Sequence, residues 1–137
     1  MMIQKQFLYC VLLWGLSLLV TPTDLQAQGQ LVPSLVNESI FPIQEKHTHG
    51  SSIVGLPNGD LLSVWFEGSG ERNADDVLLM GARKKAGQPL WSRPFEMADT
   101  PGIPDCNPVL FLNQKGELFL VWIAVMANEW ENSILRV

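Results

Sequence analysis

The sequence predicts an all-β protein built from a repeated four-stranded unit, and three observations lead to this prediction. Residues 52–56 and 61–66 are two apolar runs around a Pro-Asn-Gly-Asp turn, which is typical of a β-hairpin. The pattern Gly-acid-apolar-apolar-x-Val-Trp-apolar, which starts at Gly59, starts again at Gly116, 57 residues later. After the N-terminal segment, no amphipathic helix pattern is convincing. Such a repeat indicates stacked or radially arranged sheets, one for each unit.

The N-terminal segment has the pattern of a signal peptide. Lys5 supplies a positive charge, residues 7–20 are apolar apart from a glycine and a serine, and Ala27 ends a small-residue cleavage site. The apolar stretch of about 14 residues is shorter than the roughly 20 that a transmembrane helix needs. We therefore expect a signal peptide at 1–27. After its removal, we expect the mature chain to be secreted or periplasmic and not attached to a membrane.

Composition excludes several classes of function. The net charge is −5 and no basic run is present, so a nucleic-acid partner is not expected. The mature part keeps one cysteine, Cys106, which rules out an internal disulfide and which we interpret as a small buried residue. His47 and His49 would share a strand face, but they have no third ligand nearby in sequence. We therefore expect neither a metal nor another cofactor.

The strands can be placed in order along the chain. A lead-in segment, 28–45, is interrupted by prolines and is expected to add at most an edge or closing strand. The repeat domain then fills 46–137, with one complete four-stranded unit and most of a second. Pro94 puts the fourth strand at an outer edge, because proline cannot donate to a central ladder. The expected strands cover residues 52–56, 61–66, 77–80, 91–98, 109–112, 118–125 and 133–137.

Four-stranded units of this kind resemble the blades of a β-propeller, and the residues resemble one family in particular. The ordered set of segments looks like the start of a sialidase (neuraminidase) superfamily propeller, in its BNR-repeat, Asp-box branch. The resemblance covers about residues 41–137 and implies a six-bladed propeller that removes terminal sugars from glycans, often sialic acid. The segments that carry it are 51–62, the acidic loop 67–76, 77–83, 91–94 and 107–111.

Two departures from the family pattern bear on the substrate. The Asp-box, Ser-x-Asp-x-Gly-x-Thr-Trp, corresponds to residues 84–91, where Trp91 is retained and Gly87 lies next to the place of the motif glycine, but the Ser and Asp are absent. The family's Arg-Ile-Pro motif supplies an arginine for the substrate carboxylate, and this position corresponds to His49. An imidazole is a weaker and pH-dependent partner for an anion than a guanidinium. A sugar other than sialic acid is therefore an open alternative.

The family places an Asp general acid/base in the loop after the second strand, and here that loop offers Glu71, Asp75 and Asp76. The alignment does not choose among the three, and each of them could equally be a solvated surface acid. Glu71 is the first choice, because the Gly-Ser-Gly of residues 68–70 would let the backbone bring it into a pocket. A glycosidase needs such a carboxyl group to be protonated at the leaving oxygen.

Four further side chains are candidates for substrate binding, each with a purely structural alternative. His49 and Asn107 start the inner strands of the two units, where both could face a central pocket. The structural alternative for His49 is a histidine with its hydrogen bonds satisfied at the strand end, and that for Asn107 is a cap of its own turn. Arg72 could bind an anion or lie on the surface. Trp130, in the second unit's loop 128–132, could stack on a sugar. We expect His49, Asn107 and the acidic loop to converge at one end of the blades.

The sequence thus predicts the N-terminal portion of a secreted, sialidase-like exo-glycosidase, with glycans as partners. The Tyr nucleophile of the family has no counterpart, since the only tyrosine, Tyr9, lies in the signal segment. We therefore expect the 137-residue chain to be a fragment that is inactive alone and that associates through exposed strand edges. The alternatives are a non-catalytic carbohydrate- or partner-binding propeller and a small structural β-domain.

Overall fold

The computed structural model describes residues 33–137, of which residues 37–137 form one compact unit. In this part of the chain the fold is all-β, as predicted, with two antiparallel sheets and only two short 3-10 turns at 126–128 and 130–132. None of its helical turns is long and apolar enough to cross a membrane. The predicted signal peptide, 1–27, lies outside the described residues.

Sheet 1 has four strands and sheet 2 has three, each in simple sequence order. Every neighbouring pair is antiparallel, so each sheet is a meander whose consecutive strands are joined at alternating ends. The strands are β1 His47–Gly55, β2 Leu61–Gly68, β3 Leu78–Lys84 and β4 Phe95–Ala98 in sheet 1, and β5 Asp105–Leu112, β6 Leu118–Val125 and β7 Ser133–Arg136 in sheet 2.

The two hairpin turns predicted from the repeat have the same geometry. In the first, the Leu56 amide donates to the Asp60 carbonyl at 2.8 Å. In the second, the Asn113 amide donates to the Glu117 carbonyl at 3.0 Å. Each turn contains a glycine with positive φ, 85° at position 59 and 79° at position 116, which residues with a Cβ seldom adopt. The Pro-Asn-Gly and Gln-Lys-Gly sequences therefore form these turns because each has a glycine where the backbone requires a positive φ.

A β-bulge also recurs at the 57-residue spacing. The register between β1 and β2 shifts between His49 and Ser52, and that between β5 and β6 shifts between Cys106 and Val109. The first bulge residue has positive φ in both sheets, 60° at Gly50 and 51° at Asn107. The middle strands carry Trp65 and Trp122 opposite the two bulges, which confirms that these tryptophans occupy equivalent positions.

The main core lies between the sheets. The face of β2 that carries Leu62, Val64 and Phe66 packs with Val77 and Leu79 against sheet 2, where Leu110 and Val125 are buried. The Leu110 amide also donates to the Ser52 hydroxyl at 3.0 Å, which joins β5 to β1. The free Cys106 is buried here, as predicted. Burial of this apolar surface is the main force that holds the sheets together.

Several strand bounds differ from the sequence prediction, and proline and glycine account for most of the differences. β5 begins at Asp105, inside the expected connector 99–108, because Pro108 sits in the bulge, where no ladder hydrogen bond is lost. β3 extends through Gly81 to Lys84, well beyond the expected end at residue 80. Gly81 has no Cβ and so leaves room for the Met97 sulfur of β4, which a Cβ at this position would overlap. β4 is shorter than expected and starts only after Pro94. The described part of the lead-in, 33–45, contains no strand.

Candidate functional site

The end of the sheets where β1 and β5 begin collects most of the predicted site residues. His47 pairs with Gly68 across β1 and β2, so the loop 69–77 that follows β2 starts beside the first residue of β1. The amide of Asp105, the first residue of β5, donates to the Val77 carbonyl at 2.9 Å, which places the start of sheet 2 at the same end. We call this end the loop rim. The short turns at 57–60 and 113–116 lie at the opposite ends of the hairpins.

The bulges place Asn107 beside Gly50, the residue that follows His49. The imidazole of His49 makes an edge contact with Phe66, with ring centroids 5.6 Å apart, and lies 5.7 Å from His47. The amide oxygen of Asn107 lies 3.5 Å from the place where a Cβ on Gly50 would be. The side chains of His49 and Asn107 are exposed, so both remain available to a ligand at the loop rim.

Arg72 and Trp130 come from the loops of different repeats and contact each other. The Arg72 guanidinium carbon lies 5.6 Å from the centroid of the Trp130 ring, in a cation–π arrangement. Both side chains are half-buried, and the Nε of Arg72 is a buried donor without a hydrogen-bond partner among residues 33–137. The side chain is therefore held in one direction while part of its hydrogen-bonding capacity stays unused.

Asn128 joins the two loops, although it is not among the site residues predicted from the sequence. Its amide nitrogen donates to the Arg72 carbonyl at 2.7 Å and to the Asp75 carboxylate at 3.2 Å. Its backbone has a φ of 57°, which asparagine tolerates better than most residues. Its only local signal is that it is an asparagine in a loop, because both partners of its side chain are distant in sequence.

The three candidate acids have different surroundings. Both carboxylate oxygens of Asp76 accept from the Ser69 amide, at 3.0 and 3.1 Å, and one accepts from its hydroxyl at 2.8 Å. The hydrogen bond from the Ser69 backbone, followed by that from its hydroxyl and the charge of Lys46, lowers the pKa of Asp76. Since a general acid requires a raised pKa, Asp76 fits that role least and instead closes the loop.

Glu71 and Asp75 remain as candidates, and Glu71 is the more enclosed. Glu71 is half-buried, whereas Asp75 is exposed and bound by Asn128. Burial, followed by the negative charges of Glu71 and Asp105, raises the pKa of the Cys106 thiol to about 12. Glu71 therefore lies close enough to the start of β5 for its charge to be felt there. The raised pKa also keeps Cys106 protonated, so it is not a thiolate nucleophile.

Two other acids near the repeat tryptophans belong to the fold. Glu67 accepts from the Trp65 indole at 2.9 Å, and the fully buried Asp105 accepts from the Trp122 indole at 2.7 Å. Asp105 also accepts from the amide and hydroxyl of Thr100, at 2.6 and 2.9 Å, and so fixes the connector between the sheets. These carboxylates are committed to structural hydrogen bonds.

The loop rim is an open surface. In the described part of the chain, no hydrogen bond joins His49 or Asn107 to the acidic loop, and no group of three or more His, Cys, Asp or Glu side chains could hold a metal ion. Two cavities, of about 480 and 530 Å³, are lined by other residues, near Trp65 and near Trp91. A closed pocket at the rim would therefore require further walls.

In the comparison with protein families, residues 59–137 match the BNR repeat-like domain. This family is a sialidase/BNR-repeat family. The matched region contains both copies of the Gly-acid-apolar pattern, the acidic loop and Trp130. Neither curated proteins nor solved structures gave a match.

Proposed function

Because this chain belongs to the BNR repeat-like domain family, we propose that it is the N-terminal part of a secreted, sialidase-like β-propeller that removes terminal sugars from glycans. The two sheets would be the first blade and most of the second, in a ring of six. The signal-peptide pattern at 1–27 supports a secreted or periplasmic location. Further blades would add the missing walls of the pocket and the nucleophile.

The observation that carries this proposal is the meeting of two loops, one from each repeat, at the loop rim. Arg72 is stacked on Trp130, and Asn128 fixes both the Arg72 backbone and the Asp75 carboxylate. Aromatic faces and hydrogen-bonding side chains at the mouth of adjacent sheets are suited to binding a small polar ring. The exposed part of the half-buried Arg72 guanidinium would supply charge-assisted donors to a sugar oxygen or an anionic group.

In this proposal Glu71 is the general acid/base, and Asp75 is its alternative. Glu71 follows the Gly-Ser-Gly sequence of residues 68–70 and is half-buried beside the start of β5. Further blades would close the pocket and exclude water around this side chain, which is the kind of environment in which glycosidases hold their general acid. His49, Asn107 and Arg72 would bind the substrate, with Trp130 stacked on a sugar face.

The test is the variant Glu71→Gln in the full-length protein, assayed against a panel of chromogenic glycosides of neutral, acidic and sialic-acid sugars. The carboxamide keeps the shape of the side chain but cannot transfer a proton, so kcat should fall by about 10²-fold or more. Glu96→Gln is the matched control, because Glu96 is an exposed acid on β4. Unchanged turnover in Glu71→Gln and also in Asp75→Asn would remove this loop from the mechanism.

A non-catalytic carbohydrate-binding propeller is the second candidate, and the exposed His49 in place of the family arginine favours it. Such a protein would bind glycans through the Arg72–Trp130 pair without cleaving them. Trp130→Ala would then weaken glycan binding about 10-fold or more, by loss of ring stacking, while no glycoside is turned over. Calorimetry measures binding of the glycan, and the glycan recovered afterwards shows whether it has been cleaved. Binding with the glycan still intact favours the binding propeller over the glycosidase.

A further inference from the structure

The loop 69–77 is held firmly at its ends and weakly in its middle. At the ends, Asp76 accepts from the amide and the hydroxyl of Ser69 at 2.8 to 3.1 Å. In the middle, the Ala74 amide donates to the Glu71 carbonyl at 3.3 Å, which is longer than the usual distance of about 2.9–3.0 Å. The position of this middle part, which carries candidate site residues, therefore depends on contacts from outside the loop.

The loop 126–132, by contrast, is fixed by its own turns and by the core. Its Trp130 side chain packs against the buried residues between the two sheets. The Glu129 amide donates to the Met126 carbonyl at 3.2 Å, and the Asn132 amide donates to the Glu129 carbonyl at 3.0 Å. A segment that is tied both to the core and to itself can support a neighbouring loop whose own hydrogen bonds are weak.

The half-buried Asn128 connects the firmly held loop to the weaker one. Its side-chain nitrogen has two N–H donors, which reach the Arg72 carbonyl at 2.7 Å and the Asp75 carboxylate at 3.2 Å. The shorter of these hydrogen bonds is made to the backbone in the middle of loop 69–77. Among residues 33–137, no other hydrogen bond joins the two loops. The contact lies between the two repeats of this chain, so it does not depend on any further blade.

The backbone at Asn128 gives a second reason to assign a role to its side chain. Ala127 and Asn128 are consecutive residues with positive φ, 52° and 57°. Glycine adopts this region without the steric cost that a Cβ brings. The backbone alone would therefore be served better by glycine at position 128, whereas only a side chain can supply the hydrogen bonds to loop 69–77.

We propose that Asn128 is a positioning residue of the candidate site, which holds the middle of loop 69–77 so that Arg72 stays stacked on Trp130. The Arg72 guanidinium carbon lies 5.6 Å from the Trp130 centroid, and the hydrogen bond from Asn128 fixes the backbone from which that side chain extends. The two side chains then meet a ligand as one preformed surface, so that less ordering is required on binding. The effect on ligands rests on the proposed function, but the coupling of the two loops does not.

The first test is the variant Asn128→Gly in the full-length protein, studied by hydrogen exchange without any ligand. Glycine keeps the left-handed backbone but removes both hydrogen bonds, so the amides of residues 70–75 should exchange about 10-fold faster or more, with β2 and β6 unchanged. Ala127→Gly is the matched control, because it makes the same replacement at the neighbouring, exposed position with positive φ. Equal exchange of residues 70–75 in the two variants would overturn the proposal.

A second pair of variants separates hydrogen bonding from the filling of space. Asn128→Asp keeps the shape of the side chain but turns its donors into acceptors, which then oppose the Arg72 carbonyl and the Asp75 carboxylate. Exchange of residues 70–75 should be at least as fast as in Asn128→Gly. Adding Asp75→Asn exchanges donor and acceptor between the two positions and should recover part of the protection. Wild-type exchange in Asn128→Asp would mean that the side chain only fills space, which contradicts the proposal.

The effect on ligands is measured with the glycoside panel in the same full-length variants. Because Arg72 and Trp130 would no longer form one surface, Asn128→Gly should raise KM about 10-fold, with a smaller effect on kcat and no effect of Ala127→Gly. Faster exchange in a protein that neither binds nor cleaves glycans would refute the proposed function and leave the coupling of the loops intact. A raised KM with unchanged exchange would instead assign Asn128 to direct ligand contact and refute its positioning role.

Discussion

Asp60 shows how one side chain organises a turn and its neighbours. It is buried at the end of the first hairpin turn and accepts from the Ala86 amide at 2.8 Å and from Arg83 Nε at 2.7 Å. It therefore ties the β1–β2 turn to the β3–β4 turn. The backbone hydrogen bond from Ala86, with smaller effects of Arg83 and Asn58 and against the effect of burial, lowers the pKa of Asp60.

The lowered pKa of Asp60 makes a pH-dependent contribution to stability. A carboxyl whose folded pKa lies below its unfolded value, about 3.9, stabilises the fold above that value, and the stabilisation is lost as pH falls through the folded pKa. Asp60→Asn should therefore lower the free energy of unfolding at about pH 7, and the difference from wild type should shrink at about pH 3. Urea unfolding at the two pH values measures this. Asp99→Asn, an exposed acid, is the control, and a deficit that does not depend on pH would contradict the charge-based explanation.

At the scale of elements, the sequence predicts those strands whose position follows from the pattern of apolar residues and from the turn residues beside them. β6 was predicted with its observed bounds, 118–125, because a turn precedes an unbroken apolar run. The bulges were not predicted, because Gly50 and the Asn107-Pro108 pair read locally as strand breakers. Only their pairing with β2 and β6 shows that the chain continues as a strand through a local kink. The contact of Phe41 with Trp65 and the hydrogen bonds of Asn128 were missed for a related reason, since each joins residues that are distant in sequence.

The first bulge predicts a sharp contrast between two glycines of the same strand. Gly50 has a φ of 60°, and a Cβ there would lie 2.7 Å from the Phe66 ring, whereas Gly55 has no atom within 4 Å of its Cβ position. Gly50→Ala should therefore lower the free energy of unfolding by about 2 kcal/mol, from backbone strain and displacement of a core ring. Gly55→Ala should change it by less than about 1 kcal/mol. Equal effects of the two substitutions in denaturant titrations would show that the bulge geometry is not required.

For the whole molecule, the repeat explains both what is buried and what is left exposed. One set of apolar positions is buried where the two sheets meet. The positions 57 residues later are half-buried in β6, at Phe119, Val121 and Ile123, and exposed in β7, at Ile134. The sequence predicted the repeat and the end of the sheets, the loop rim, at which the loops lie. It could not indicate that Arg72 and Trp130 would pair, because this contact depends on how the two sheets pack.

The last prediction concerns whether the two sheets unfold as one unit. The Ser52 hydroxyl of sheet 1 accepts from the Leu110 amide of sheet 2 at 3.0 Å, within an apolar interface. Ser52→Ala leaves that amide without its partner, which should cost about 1–3 kcal/mol. If the interface makes the sheets cooperative, the loss should appear equally in both, as faster hydrogen exchange of the most protected amides of β2 and of β6. Ser51→Ala, next to it and exposed, is the control. If Ser52→Ala leaves the exchange rates of the most protected β6 amides unchanged, each sheet is stable on its own.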